Sequence, residues 1–114
     1  MKETEISITN GIIAEFDGWL KNTTIFNSPT YLKNGVIKHE HEFNYHNSWD
    51  ALMPVVERIE NLENAFTIQI DFTDCIINQN DNWSFGIHTT GINKIEAVYK
   101  AVIEFIKWYN TQSK

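Results

Sequence analysis

Phe66-Thr67-Ile68-Gln69-Ile70-Asp71-Phe72-Thr73 alternates apolar with polar side chains at every step, the period of a half-buried β-strand. Cys75-Ile76-Ile77 and Trp83-Ser84-Phe85-Gly86-Ile87-His88 continue the pattern, parted by the turn-rich Asn78-Gln79-Asn80-Asp81-Asn82. Strands joined by such short polar links pair with their sequence neighbours, so residues 66–88 are expected to form an antiparallel meander. Asp71 and Asp74 fall between strand segments, where carboxylates serve turns.

Downstream the period changes from two to 3.6. Asn93 and Glu96 stand at the capping-box offset, opening a helix. Ile95, Val98, Tyr99, Val102, Phe105, Ile106 and Tyr109 then share one stripe, while Glu96, Lys100, Glu104 and Lys107 occupy the opposite face. Upstream, Asn47 or Ser48 caps a second helix with Trp49, Leu52, Met53, Val56 and Ile59 on its apolar face. Pro54 supplies no N–H there, so it kinks that helix or marks where its regular part begins.

The first part of the chain is more mixed. Ile12-Ile13-Ala14-Glu15-Phe16 reads as a helix capped by Thr9 or Asn10 and closed at Gly18. Thr23-Thr24-Ile25-Phe26 is β-branched and ends at Ser28-Pro29, and Asn34-Gly35 suits a type I′ hairpin turn. A strand from Val36 to Tyr45 would place Ile37, His39, His41, Phe43 and Tyr45 on one side. The order α-β-α-β-α implies an α+β domain: a short antiparallel sheet of three to five strands, packed sandwich-like by about three helices. Its expected core joins Phe66, Ile68, Ile70, Ile77, Phe85 and Ile87 to Trp49, Leu52, Val56, Val98, Val102, Phe105 and Ile106.

A chain of 114 residues fits one domain, 1–114, with an ordered core at about residues 10–110. Hydrophobic residues at 42% and charged residues at 21% exclude a disordered or coiled-coil chain, and no apolar run approaches membrane-spanning length. Nine Lys and Arg against fifteen Asp and Glu leave a net charge of −6, without the basic stripe that direct nucleic-acid binding needs. Cys75 is the single cysteine, and Met1-Lys2-Glu3-Thr4-Glu5 lacks the apolar segment of a signal peptide, so a reducing, cytoplasmic setting is expected.

Three stretches carry a resemblance: Ile13-Ala14-Glu15-Phe16-Asp17-Gly18-Trp19, Tyr45-His46-Asn47-Ser48-Trp49-Asp50-Ala51-Leu52-Met53-Pro54-Val55-Val56-Glu57-Arg58-Ile59-Glu60, and Lys94 to Tyr99 with Phe105 to Asn110. Together they resemble a family of small uncharacterised proteins of phages and prophages from gut anaerobic bacteria, similar in turn to the phage domain described as an α-β-α sandwich. The resemblance covers roughly residues 10 to 110 and implies origin and fold; it carries no catalytic residues. Asp17 and Ala51 depart from the pattern, where an apolar residue and a second Trp are expected, and both departures imply looser local packing.

His39-Glu40-His41-Glu42, with His46 downstream, is the one cluster with metal-ligand residue types. On a strand, His39 and His41 would point the same way about 7 Å apart. A third ligand would have to come from His46, His88, Asp71, Asp74 or Cys75, none at a defined spacing, so a solvated or interface strand is the better account and no metal is expected. Cys75 lies between Asp74 and Ile76-Ile77, surroundings that raise a thiol pKa, so it reads as a buried strand residue. Gly86 and Gly91 belong to no phosphate-cradling loop, and no cofactor is implied.

In the last helix, Ala97, Ala101 and Trp108 lie beyond one edge of the apolar stripe and Ile103 beyond the other. One sheet face covers a stripe of about 120°. The Ala97–Ala101–Trp108 flank is therefore a candidate interface, for a protein partner or a two-fold homodimer. The function expected from all this is a phage- or prophage-type accessory protein, a non-enzymatic binding module that engages a protein through an acidic, aromatic surface. Two alternatives are a small metal-dependent hydrolase using His39, His41 and His46, and an acidic DNA mimic that inhibits a host defence enzyme. Fifteen acids offset by nine bases are thin for the mimic.

Overall fold

The computed structural model describes residues 3–25, 27–62, 65–80 and 82–112. Met1, Lys2, Phe26, Glu63, Asn64, Asp81, Ser113 and Lys114 lie outside the described residues, as do the side chains of Glu3, Thr23, Ile25, Asn82, Trp83 and Ser84.

Helix α1 (Glu3–Phe16) leads into a meander of β1 (Leu20–Ile25), β2 (Ser28–Lys33) and β3 (Val36–His39), which runs into a 3-10 turn at Glu40–Glu42. Helix α2 (Trp49–Glu60) follows, then a second meander of β4 (Phe66–Asp71), β5 (Asp74–Gln79) and β6 (Asn82–Thr90), then α3 (Lys94–Gln112). The fold is α+β, with the strands in two three-stranded antiparallel sheets, β1-β2-β3 and β4-β5-β6.

Alternation does its work in the second meander. Ile68, Ile77 and Ile87 are register partners across its three strands, and Ile70, Cys75 and Thr89 form the next row on the same face. Partners directly opposite share a face, so both rows back onto α3 while Gln69, Ile76 and His88 take the other side. Phe66, Ile77, Leu52, Val56, Val98, Val102, Phe105 and Ile106 are buried together, with Ile68, Ile70, Phe85 and Ile87 packed against them. Trp49, expected in this core, is 40% exposed. It is the first residue of α2, whose buried residues are Leu52, Val55, Val56 and Ile59.

Capping follows local rules. The Asn93 side chain accepts from Glu96 N at 2.9 Å, while Glu96 accepts from the backbone of Ile92 at 2.9 Å. Ser48 Oγ accepts from Ala51 N at the start of α2, and Pro54 sits inside that helix, which continues to Glu60. At the end of α1, Trp19 N donates to Ala14 O and Gly18 N to Glu15 O around Gly18 with φ +101, a Schellman closure. Asn34 and Gly35 both have positive φ, as a type I′ turn demands.

Two expectations about the first half are corrected. Helix α1 begins at Glu3, so Thr9 and Asn10 are interior rather than caps. Their side chains are occupied by the helix's own carbonyls and by distant residues, and these partners outweigh their cap preference. The strand from Val36 stops at His39 instead of reaching Tyr45. Glu42 Oε1 accepts from His39 N at 2.7 Å and pins the 3-10 turn that ends it. Phe43 and Tyr45 are buried beyond it, their rings stacked 5.8 Å apart. Asp17 does not loosen the packing here: Tyr45 donates its hydroxyl to Asp17 Oδ2 at 3.0 Å.

Helix α3 is wrapped on more than one side, packing against β4, β5, β6, α1 and α2. Ala97 and Ala101 are fully buried, and Ile103 is buried as well. Trp108, half-buried, meets Phe85 at 4.4 Å and Phe66 at 6.0 Å between ring centroids. Of the Ala97–Ala101–Trp108 flank expected as an interface, Ala97 and Ala101 are buried within the chain while Trp108 keeps part of its surface exposed.

Candidate functional site

The three histidines are drawn to different tasks. The His39 and His41 rings stack 5.5 Å apart, with an interplanar angle of 26°. His46 lies half-buried and engages Asn10 instead. Among the described residues no three His, Cys, Asp or Glu side chains converge as a metal site would require. Cys75 is buried in β5, and desolvation pushes its thiol up to about 11, so it is protonated and unreactive at neutral pH.

A polar seam runs instead between α1, α3 and the segment before α2. Asn10, only 1% exposed, donates from Nδ2 to the Phe43 carbonyl at 2.9 Å and faces His46 Nδ1 at 3.0 Å. Tyr99 donates its hydroxyl to Asn10 Oδ1 at 2.9 Å and hydrogen-bonds Thr9 Oγ1. Burial holds the Tyr99 phenol above its ordinary pKa and the His46 imidazole below its own. Two depressions flank this seam, of about 320 Å³ and about 200 Å³, and Ile6 and His46 line both.

A separate feature stands at one end of the second meander. Phe72 occupies the two-residue link between the paired Asp71 and Asp74, with φ +51 and 79% exposure. A bulky residue with positive φ is held against its own sterics. Beside it, Gly91 N donates to Thr73 O at 3.0 Å, which ties the link to the segment carrying Ile92, 85% exposed. A Cβ on Gly91 would come within 2.7 Å of Ala97 N, so the approach of this segment to α3 depends on glycine. The result is an acidic tip with two bare apolar side chains on a braced backbone. The first meander carries a second exposed apolar row, Leu20 and Ile37 flanking their shared register partner Leu32.

In comparisons with protein-family models, curated proteins and solved structures, nothing matches the chain. Among the described residues no helix is long and apolar enough to cross a membrane.

Sequence reading missed both features. Phe72 continues the period-two alternation of β4 and so reads as a strand residue; Asp71 and Asp74 signal a turn, but nothing local reports that Phe72 stands exposed within it. Asn10 reads as a helix cap because its partners at Phe43, His46 and Tyr99 are 33 to 89 positions away.

Proposed function

We propose that this chain is a non-enzymatic protein-binding module of the phage or prophage accessory type, working in the cytoplasm, and that the tip around Phe72 is its point of contact. The phage-type origin rests on the sequence resemblance, and the buried, reduced Cys75 fits a reducing compartment. Support for binding over catalysis comes from the chemistry of the titratable groups. The Cys75 thiol is protonated and buried, and His46 is held by the amide of Asn10, where a general base would need an orienting carboxylate.

The observation that carries the reading is Phe72: an aromatic side chain kept in solvent, on a backbone conformation its own Cβ disfavours, between two aspartates. Residues held in sparsely populated backbone regions cluster at contact and switch sites, where the strain is part of the function. Buried aromatic anchors dominate interface energetics. The partner surface that fits is an apolar pocket with a basic rim, because Asp71, Asp74 and the net charge of −6 repel an acidic one.

A photo-crosslinking phenylalanine analogue placed at position 72 in the native host tests this. The expected result is one discrete protein adduct, absent when the same analogue replaces Glu57 on the exposed side of α2. The purified partner should then bind the native chain and lose at least tenfold affinity against Phe72→Ala or Asp71→Lys. Adducts of equal pattern from both positions, or binding indifferent to both substitutions, would refute the reading.

A further inference from the structure

We infer that the larger depression beside His46 is a binding site for a small neutral carbonyl compound, an amide or a similar acceptor with an apolar arm, gripped through His46 Nε2–H. The inference is independent of the tip and rests on the direction of a hydrogen-bond chain. The Phe43 carbonyl can only accept, so the nitrogen end of the Asn10 amide must face it. Asn10 Oδ1 is thereby left to accept from the Tyr99 hydroxyl, and the same Nδ2 presents its second hydrogen to His46 Nδ1. The Thr9 hydroxyl completes the chain behind Tyr99. Every donor in the sequence Tyr99, Asn10, His46 points one way, so Nδ1 is an acceptor and the neutral ring carries its proton on Nε2.

That proton has nowhere to go inside the chain. Among the described residues Nε2 has no hydrogen-bond partner and is not fully buried, and His46 lines the larger depression as well as its neighbour. The apolar walls there are Ile6 and Phe43, with Ser7, Asn10 and His41 as further polar groups. A volume of about 320 Å³ is at the lower end of small-molecule sites. One fixed donor over apolar walls selects an oxygen acceptor attached to an apolar body.

Charge decides between neutral and anionic acceptors. No Lys or Arg lines either depression, and the Glu96 carboxylate borders the neighbouring one. Burial also keeps the His46 ring uncharged at neutral pH. A carboxylate or phosphate would enter a chain of net charge −6 with no cation to meet it. A neutral carbonyl loses only a water, and regains a hydrogen bond from Nε2.

Benzamide, benzoate and benzyl alcohol serve as probes of one shape and different acceptor chemistry. Two-dimensional NMR of the uniformly ¹⁵N-labelled chain, with the His46 ring nitrogens assigned, follows each titration at neutral pH. Benzamide should move the His46 Nε2 resonance saturably, and bind at least fivefold more tightly than benzoate. Ile6→Trp fills the depression with a side chain while the Ile6 carbonyl that accepts from Thr9 and Tyr99 is retained, and should weaken benzamide at least tenfold while Nδ1 keeps its acceptor shift. Four results would each overturn the inference: benzoate binding as well as benzamide, benzyl alcohol binding as well as benzamide, an unmoved Nε2 resonance, or benzamide binding that survives Ile6→Trp.

Discussion

Phe72 shows how one residue can set stability and contact in opposition. A non-glycine residue in the left-handed region costs roughly 1–2 kcal/mol, and an exposed side chain recovers little of that through packing. Glycine removes the steric cost but adds chain entropy to the unfolded state, about 0.5–1 kcal/mol. Phe72→Gly should therefore leave stability unchanged or raise it by up to about 1 kcal/mol in denaturant unfolding, while removing the contact side chain. A loss above 1 kcal/mol would mean that Phe72 packs where its exposure says it does not. His46 gives a second residue-level expectation. Its folded-state pKa lies below the unfolded value near 6.5, so between those two values the unfolded chain binds more protons than the native one. Stability is then fully present above about pH 6.5 and falls as the pH drops through the folded-state pKa. Thermal melting from about pH 7.5 to 5.5 should show this slope, and His46→Phe should flatten it. Glu96, whose carboxylate is held low chiefly by the Ile92 N–H, acts in a separate and more acidic window.

At the scale of elements, α3 is the clearest case of sequence dictating structure. Its capping pair and stripe appear where the 3.6 period and the Asn93–Glu96 offset place them. Val102 is fully buried in it, so Val102→Ala should cost roughly 1–3 kcal/mol in unfolding free energy, and an effect within error would show that the cavity collapses. The second meander was equally legible in its strands, because its alternation is local and its second turn is polar. Helix α1 was only half legible. Gly11 and the polar Thr9 and Asn10 weaken helix propensity before Ile12, and what overrides them is tertiary: α1 crosses Tyr31 so closely that a Cβ on Gly11 would lie 2.7 Å from Glu40 Oε2. The His39–His41 segment failed for a related reason. Alternation continues past His39 in the sequence, but a Glu42 side chain three residues on closes a turn that no periodicity reports. Interfaces were the least legible feature, since whether Ala97 and Trp108 are bare depends on how many neighbours the whole fold brings to α3.

Across the whole molecule, α2 and α3 back the second meander, the 3-10 turn joins α1 to β2 of the first, and the first and last helices pack on each other. The seam at that contact joins Thr9 and Asn10 to Tyr99, across 90 and 89 positions of chain. Such distant pairings form late, because loop-closure entropy opposes them until much else is in place. On the ribosome this becomes a matter of timing. Synthesis proceeds at about 5–20 residues per second, so α1 waits several seconds for the helix that will pair its buried amide and hydroxyl. During that interval Asn10 and Thr9 can be satisfied only by water, which keeps the nascent amino-terminal half loosely held and accessible to chaperones. Only after Tyr99 has left the exit tunnel can those two groups find their native partner.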